Sequence, residues 1–240
     1  MRSLNRKLAL SMLAVAACGL AQAGDSAAAL APLEVRLKSA PDDLRLGAEY
    51  RQAVIKAEAY DQAIELFETL VEQNPEASNA YLNLGFAYVD KVPAVGSITQ
   101  VILAERALEA FTKSVELKPV WLNLYTRGNS YLFWPVVFGR APLGVKDLER
   151  AMEMQRAEPQ LKPYQVRTFI SLGDGYWKSN QHEAAVKVWR EGLERYPNNP
   201  KLVERLALIE DDAGMDRYLG DELDPNKRVD TSLKELWEGE

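Results

Sequence analysis

Apolar residues recur three and four positions apart along most of the chain, interleaved with charged and polar residues. The pattern is clearest in three stretches, 63–71, 101–115 and 184–193. Positions three and four apart lie on one face of an α-helix, so each stretch predicts a helix with one buried stripe. No stretch alternates apolar and polar residues for long enough to compete as a strand. The hydrophobic pattern therefore predicts an all-α protein.

Several residues indicate where individual helices begin and end. Ser97, with Gln100 three positions later, has the spacing of a capping box and predicts the start of a long helix that ends at Leu117. After Pro197, the segment 201–210 carries apolar residues on one face and charged residues on the other. Such a helix is suited to cap the end of a stack of helices, because its polar face meets water.

The C-terminal flank of this helical part is polar in composition. Residues 24–40 are interpreted as a linker or arm, and residues 213–240 as a polar tail. Within the tail we expect a short terminal helix near Ser232 to Glu238. It would dock through its apolar side chains, Leu233, Leu236 and Trp237.

The segment from Val166 to Asn199 contains an ordered set of small, aromatic and turn-forming residues. They are Leu172, Gly173, Tyr176, Ala185, Trp189, Gly192 and Pro197. Their order and spacing resemble the tetratricopeptide repeat (TPR), a helix pair of about 34 residues. In this pattern Gly173 lets the second helix approach the first, and Trp189 fills the gap to the next pair.

Three further units resemble the same pattern with insertions or shifts. Their landmarks are Leu46-Gly47 with Phe67, Leu84-Gly85 with Phe111, and Gly128 with Leu148. The resemblance implies a right-handed helical solenoid of about four TPR-like helix pairs over residues 41–212, closed by a C-terminal capping helix. Insertions near 90–98 and 132–143 interrupt it.

In the family that these units resemble, the first helix of each pair lines an inner groove that binds another protein. Carried over by position, the resemblance implies eight groove residues: Asn79, Asn83, Phe86, Tyr125, Asn129, Arg167, Asp174 and Trp177. The mixture is amphipathic and suits a peptide or helix of a protein partner. For Leu82, Leu132 and Ile170, the groove and the core between repeats both remain open.

Some members of this family bind a C-terminal carboxylate through Lys, Asn and Arg on successive first helices. Asn83 and Arg167 match that set in type and place. Leu82, Phe86 and Leu122 stand where polar or basic members would be, so we do not predict this clamp.

The second insertion contains seven apolar residues, 132–138, interrupted by Pro135. It includes the aromatic residues Phe133, Trp134 and Phe138. Two interpretations remain open: a buried plug in the groove, which we favour, and an exposed patch for a partner or a membrane surface.

The first residues have the pattern of an export signal. Basic residues within 1–7 precede an apolar stretch at 8–20, and a small-x-small site follows at Ala21-Gln22-Ala23. This arrangement predicts a secretory signal peptide over residues 1–23 and a periplasmic protein. An uncleaved anchor helix is the alternative, although the stretch is shorter than the roughly 20 apolar residues that cross a bilayer.

The only cysteine, Cys18, lies within this segment. Val15-Ala16-Ala17-Cys18-Gly19 resembles a bacterial lipobox, which implies a signal over 1–17 and a lipid on Cys18. In that case alone we expect membrane attachment, to the periplasmic side of the outer membrane. Without another cysteine, the rest of the chain cannot form an internal disulfide or use a thiolate nucleophile.

The sequence offers little that could support catalysis or cofactor binding. His182 is the single histidine, and no P-loop is present. The acidic pairs Asp42-Asp43 and Asp211-Asp212 lie near predicted helix ends, where they complement the helix dipole. We expect no cofactor and no metal site. A formal charge of −6 without a basic stripe gives nucleic-acid binding no electrostatic support.

Together these features predict a non-enzymatic, exported TPR protein that acts as an interaction scaffold or assembly factor in the periplasm, with a protein or peptide partner. One alternative is an outer-membrane lipoprotein subunit of an envelope complex. Another is an enzyme that acts on a polysaccharide through a pair of acidic residues.

Overall fold

The computed structural model describes residues 30–238, and within this range the protein consists of eleven α-helices and no strand. The all-α prediction is therefore confirmed. Helix α1 comprises residues 30–39. The others are α2 (Leu44–Ala57), α3 (Tyr60–Gln73), α4 (Ser78–Lys91), α5 (Ser97–Leu117), α6 (Trp121–Leu132), α7 (Ala141–Ala157), α8 (Val166–Lys178), α9 (His182–Arg195), α10 (Pro200–Ala207) and α11 (Asp212–Glu222). None of the described helices combines the length and apolarity needed to cross a membrane.

Helices α2 to α9 form four pairs, and each pair packs against the next. In the second, third and fourth pairs the crossing is close, because a glycine of the first helix faces a large side chain of the second helix. A Cβ atom on Gly85 would overlap the ring of Phe111, and one on Gly173 would overlap the indole of Trp189. Both rings are fully buried. The spacing of glycine and aromatic residue in the sequence is thus the spacing of one helix–helix contact.

The start of α5 differs from the predicted capping box. Gly96 is the N-cap residue, Ser97 is the first helical residue, and no side chain caps the helix. The Gln100 amide instead donates hydrogen bonds to the carbonyl oxygens of Val92 and Val95, in the turn before the helix. The prediction was wrong because a 3₁₀ turn, Val92–Ala94, precedes α5 and leaves carbonyl groups that Gln100 can reach.

Helices α10 and α11 cover the open end of the fourth pair. Both begin at a side-chain cap: Asn199 accepts a hydrogen bond from the Leu202 amide, and Asp211 accepts one from the Gly214 amide. Leu202 and Met215 are fully buried in the cluster that includes Trp189. The solenoid therefore ends in the predicted cap, which consists of two helices instead of one.

The region before the first pair is not an open linker where the structure describes it. Residues 30–39 are helical, and Leu30 and Leu37 are buried in the same cluster as the first two pairs. Glu34 accepts a hydrogen bond from the Tyr50 hydroxyl at 2.9 Å. The interpretation of 24–40 as a linker or arm overlooked two leucines seven positions apart, which share one helix face. The predicted signal segment lies outside the described residues.

Beyond α11 the chain turns back over the solenoid. Residues 225–237, which we call the C-terminal segment, return to the first two pairs and contain a 3₁₀ turn, Lys234–Leu236, instead of a short α-helix. Leu233, just before this turn, has a left-handed backbone with φ of 57°. The tail thus docks through apolar residues, as expected, but it does so with a 3₁₀ turn where a short α-helix was predicted.

Candidate functional site: the groove and the C-terminal segment

The first helices of the pairs, α2, α4, α6 and α8, form one wall. Helix α2 packs on α4, and α6 packs on α8. The Asn123 amide of α6 donates a hydrogen bond to the Ser78 hydroxyl of α4, with an N–O distance of 3.1 Å. The Trp121 indole of α6 donates one to the Thr168 hydroxyl of α8 at 3.0 Å. We call the inner face of this wall the groove.

A cavity of about 310 Å³ lies between the groove, the second insertion and the C-terminal segment. Most of the side chains around it are aliphatic or aromatic. On the groove side they include Phe86, Val89, Leu122 and Tyr125, and on the segment side Val229, Leu233 and Leu236. This volume is at the lower end of the range for ligand pockets, roughly 300–1,000 Å³.

Beside the cavity, four buried polar residues connect the groove to the C-terminal segment. The Arg51 guanidinium donates to the Asn83 amide oxygen at 3.0 Å, to the Asp90 carboxylate at 3.0 Å and to the backbone carbonyl of Thr231 at 2.8 Å. The Thr231 hydroxyl in turn donates to Asp90 at 2.5 Å. We call Arg51, Asn83 and Asp90 the polar triad. The triad binds the backbone carbonyl and the side-chain hydroxyl of Thr231, two groups that a bound peptide can also present.

Burial disfavours the charged form of Arg51, and the neighbouring Asp90 carboxylate favours it. The guanidinium is fully buried, and removal from water lowers the pKa of Arg51. The Asp90 carboxylate acts in the opposite direction, because a nearby negative charge favours the cation. A buried ion pair of this kind needs its remaining hydrogen bonds to be satisfied, and Asn83 and Thr231 satisfy them.

Further contacts hold the segment along its whole length. The Arg228 guanidinium donates to the Tyr60 hydroxyl at 2.8 Å, and Arg167 donates to the Glu235 carboxylate at 2.7 Å. At the two ends, Gln100 donates to Asn226 at 3.0 Å, and the Arg45 guanidinium lies 5.6 Å from the centre of the Trp237 ring.

Four of the eight predicted groove residues line the cavity: Phe86, Tyr125, Asn129 and Arg167. Tyr125 stacks on Trp121 with 5.2 Å between ring centres, and burial raises the pKa of Tyr125. Asn129 accepts a hydrogen bond from the Ser171 hydroxyl at 2.8 Å. Phe86 packs edge-to-face on Phe111.

The other four predicted groove residues have structural partners. Asn83 belongs to the polar triad, and the Asn79 backbone amide donates to the Asp42 carboxylate at 2.6 Å. Asp174 binds the buried Arg205 of α10 through both oxygens, at 2.6 and 2.7 Å. The Trp177 indole donates to Asp216 of α11 at 3.1 Å. The capping helices α10 and α11 thus cover α8, the first helix of the fourth pair, where an open groove was expected. Leu82, Leu132 and Ile170 are core residues.

The second insertion divides into a buried part and an exposed part. Trp134 is 7% exposed, and Phe133 and Trp134 both line the cavity. Phe138 is 55% exposed and contacts Trp134 edge-to-face. The Arg140 guanidinium lies 3.9 Å from the centre of the Trp134 ring, and Lys178 donates to the carbonyl of Trp134 at 3.1 Å. The plug and the exposed patch are therefore successive parts of one insertion.

No motif or spacing in the sequence indicated Arg51, Asp90 and Thr231 as site residues. Arg51 is one arginine among the charged positions of an amphipathic helix, and Thr231 lies 180 positions further along the chain. The available signal was the group of apolar residues in the tail, of which Leu233 and Leu236 line the cavity.

The site offers binding groups and no recognisable catalytic set. His182 stacks on Trp177 with 3.9 Å between ring centres. Asp43 accepts a hydrogen bond from the Leu46 amide and so caps α2, as expected for an acidic pair at a helix end. Among residues 30–238 no group of three or more histidine or acidic side chains could hold a metal ion.

The comparisons with known proteins agree with this geometry. Residues 52–91 match the family described as tetratricopeptide repeat. No curated protein matches the chain. The fold is similar to that of a thermophilic TPR protein from Thermus thermophilus, with 20% identity over 85% of this chain and 96% of the other and a TM-score of 0.54.

Two further solved structures are similar. YrrB, described as a TPR protein with an unusual peptide-binding site, has 14% identity over 85% of this chain and 91% of its own, with a TM-score of 0.53. MamA has 20% identity over 74% of this chain and 92% of its own, with a TM-score of 0.51. Residues 52–91 thus match a tetratricopeptide repeat, and the described part of the chain has a helical-solenoid fold similar to that of these TPR proteins.

Proposed function

We propose that this protein is a periplasmic interaction scaffold whose groove holds a peptide segment of a partner protein. The observation that carries the proposal is that the groove already holds a segment of its own chain, which has no regular secondary structure between residues 228 and 233. The Arg51 guanidinium contacts that segment through a backbone carbonyl, which every partner sequence possesses. The apolar cavity beside it can accept side chains and thus supply selectivity.

The class of partner is also supported by the composition of the groove. Its apolar side chains and its few fixed polar groups suit a peptide better than a nucleic acid, which a protein with 35 acidic and 29 basic residues would repel. YrrB, which has the same fold, is described as having a peptide-binding site. That property belongs to YrrB, and it supports the ligand class proposed for this chain.

Photo-crosslinking in intact cells tests the proposal. We expect a photoreactive residue at Leu122, on the cavity wall, to capture a partner that mass spectrometry can identify. The matched control carries the photoreactive residue in place of Glu109, which is exposed on α5, the second helix of its pair. Equal capture at both positions, or none at Leu122, would contradict groove binding.

The periplasmic location is proposed from the basic, apolar and small-residue pattern of residues 1–23. Cell fractionation, followed by sequencing of the mature N-terminus, tests it. An N-terminus at Gly24 supports the soluble periplasmic form, and an intact chain in the cytoplasm would exclude export. Palmitate incorporation that is lost in Cys18→Ser would instead identify the lipid-anchored form.

A further inference from the structure

The C-terminal segment occupies the groove as a ligand would. It approaches from beyond α11 and contacts three separate first helices: α2 through Arg51, α4 through Asp90 and α8 through Arg167. Between residues 228 and 233 it forms no regular secondary structure. Its position is therefore determined by the surface that it contacts.

The central contact of the segment is charged, in contrast to the leucine-rich contacts between the helix pairs. Thr231 packs on the polar triad, where the buried guanidinium and carboxylate are removed from water. Burial of an ion pair carries a desolvation cost. Departure of the segment would return Arg51 and Asp90 to water and remove that cost. The contact thus resembles an interface that can open.

Backbone strain in the segment also opposes docking. Leu233 has a φ of 57°, and the left-handed region is unfavourable for a leucine. Its side chain nevertheless lines the cavity, together with Leu236. The strained conformation therefore places an apolar side chain in the groove.

The segment fills the groove incompletely. A cavity of about 310 Å³ remains between Leu233 and the walls formed by Phe86, Leu122 and Trp134. A ligand with a larger apolar side chain at this place would bury more surface, and so bind more tightly, than the segment does.

We propose that the C-terminal segment is an internal ligand of the groove, which the partner segment displaces. The partner segment places a serine or threonine against Arg51 and Asp90, and a large apolar residue two positions later fills the cavity. This inference rests on the function proposed above, since it names the chemistry and the regulation of the same site. A tethered segment has an effective concentration in the millimolar range, so an external ligand must out-compete it.

A synthetic peptide of residues 224–238 with a fluorescent label is the probe. Binding to the full chain is measured by fluorescence anisotropy. In the double variant Arg228→Ala with Thr231→Val, the segment loses its hydrogen bond to Tyr60 of α3 and its hydroxyl contact with Asp90 of the groove, while the groove keeps its own residues. We expect this variant to bind the peptide at least about tenfold more tightly than the unaltered chain does.

Matched variants define the site and the side-chain preference. Thr69→Val removes a hydroxyl that bonds only within α3, and we expect it to bind like the unaltered chain. Adding Leu122→Glu to the double variant is expected to abolish binding, because it places a charge in the apolar cavity. A peptide with Leu233→Trp should bind the double variant about tenfold more tightly than the native peptide.

Hydrogen exchange of residues 228–236 shows whether the segment has left the groove. If the double variant retains a docked segment, Leu233→Asp and Leu236→Asp are added to release it. Peptide binding no tighter than in the unaltered chain, despite release, would overturn the internal-ligand inference.

The failure of this inference is distinguishable from failure of the proposed function. Suppose that a partner crosslinks to Leu122, but hydrogen exchange of residues 228–236 stays slow when that partner is bound. The groove function then stands, and displacement of the C-terminal segment is excluded. If no partner crosslinks to Leu122, groove binding in the cell is contradicted, whereas the peptide measurement still reports the affinity of the groove for its own segment.

Discussion

In the second and fourth helix pairs, a glycine of the first helix faces an aromatic ring of the second helix. Gly173 and Trp189 could be predicted from sequence, because their spacing is that of one helix crossing. Arg51 could not be predicted in the same way. On its own helix it resembles a solvated charge, and only the C-terminal segment completes its burial.

Gly173→Ala is expected to lower the free energy of unfolding by about 1–3 kcal/mol, since the new methyl group would overlap the Trp189 ring. Gly220→Ala in α11 is the matched control. There a Cβ atom meets nothing within 4 Å, and alanine favours the helix by up to about 1 kcal/mol. Urea unfolding measures both. An equal effect of the two substitutions would contradict the close crossing.

Stability should fall as the pH rises from about 10 to about 12. Burial raises the pKa of Tyr88 from its usual 10 to about 12, and a hydrogen bond to Glu68 makes the second-largest contribution. Between these values the unfolded state releases the tyrosine proton and the folded state keeps it, so folding becomes less favourable. Tyr176, hydrogen-bonded to Glu149, behaves in the same sense.

Urea unfolding of Tyr88→Phe across this pH range tests the assignment. The variant has one fewer group to titrate, so its loss of stability between pH 10 and 12 should be smaller than that of the unaltered protein. The difference measured at pH 8 serves as the reference. Parallel pH profiles would show that Tyr88 does not contribute.

At the scale of the element, apolar periodicity predicted the helices better than it predicted their ends. The long helix α5 spans the predicted Ser97–Leu117, but its cap depends on the 3₁₀ turn before it. Residues 30–39 fall in the stretch 24–40, which was interpreted as a linker or arm. The helix in this stretch is stabilised because Leu30 and Leu37 are buried against the first two pairs, which is a tertiary effect.

The second insertion provides a prediction at this scale. Trp134→Ala should reduce the free energy of unfolding by about 3 kcal/mol, because the ring is buried beside the cavity under Arg140. Phe138→Ala, at a position 55% exposed, should cost less than about 1 kcal/mol. Chemical denaturation of both variants checks the contrast. Similar losses would mean that the insertion is buried as a whole.

For the whole molecule, the four pairs and their cap could be predicted from the repeats, whereas the occupied groove could not. The repeats determine which helices neighbour one another, since each unit buries its stripe only against the next. The return of the C-terminal segment depends on contacts such as that of Arg228 with Tyr60, 168 positions apart. No local pattern reports a contact over that separation.

The segment should stabilise the molecule that it covers. A chain that ends at Asp224 should remain helical but lose about 2 kcal/mol of stability, because the walls around Phe86 and Leu122 become exposed. Circular dichroism and urea unfolding measure the two properties. Unchanged stability would show that the segment contributes nothing to the folded solenoid.

The central claim is that the groove, and not the outer surface, holds the partner. Titration of the purified full chain with the partner peptide that crosslinks to Leu122 tests it most directly. The account predicts that Leu122→Glu weakens binding at least about tenfold while Glu109→Lys, on the outer helix α5, leaves it unchanged. Equal affinities of the two variants, with both proteins folded, would contradict the account.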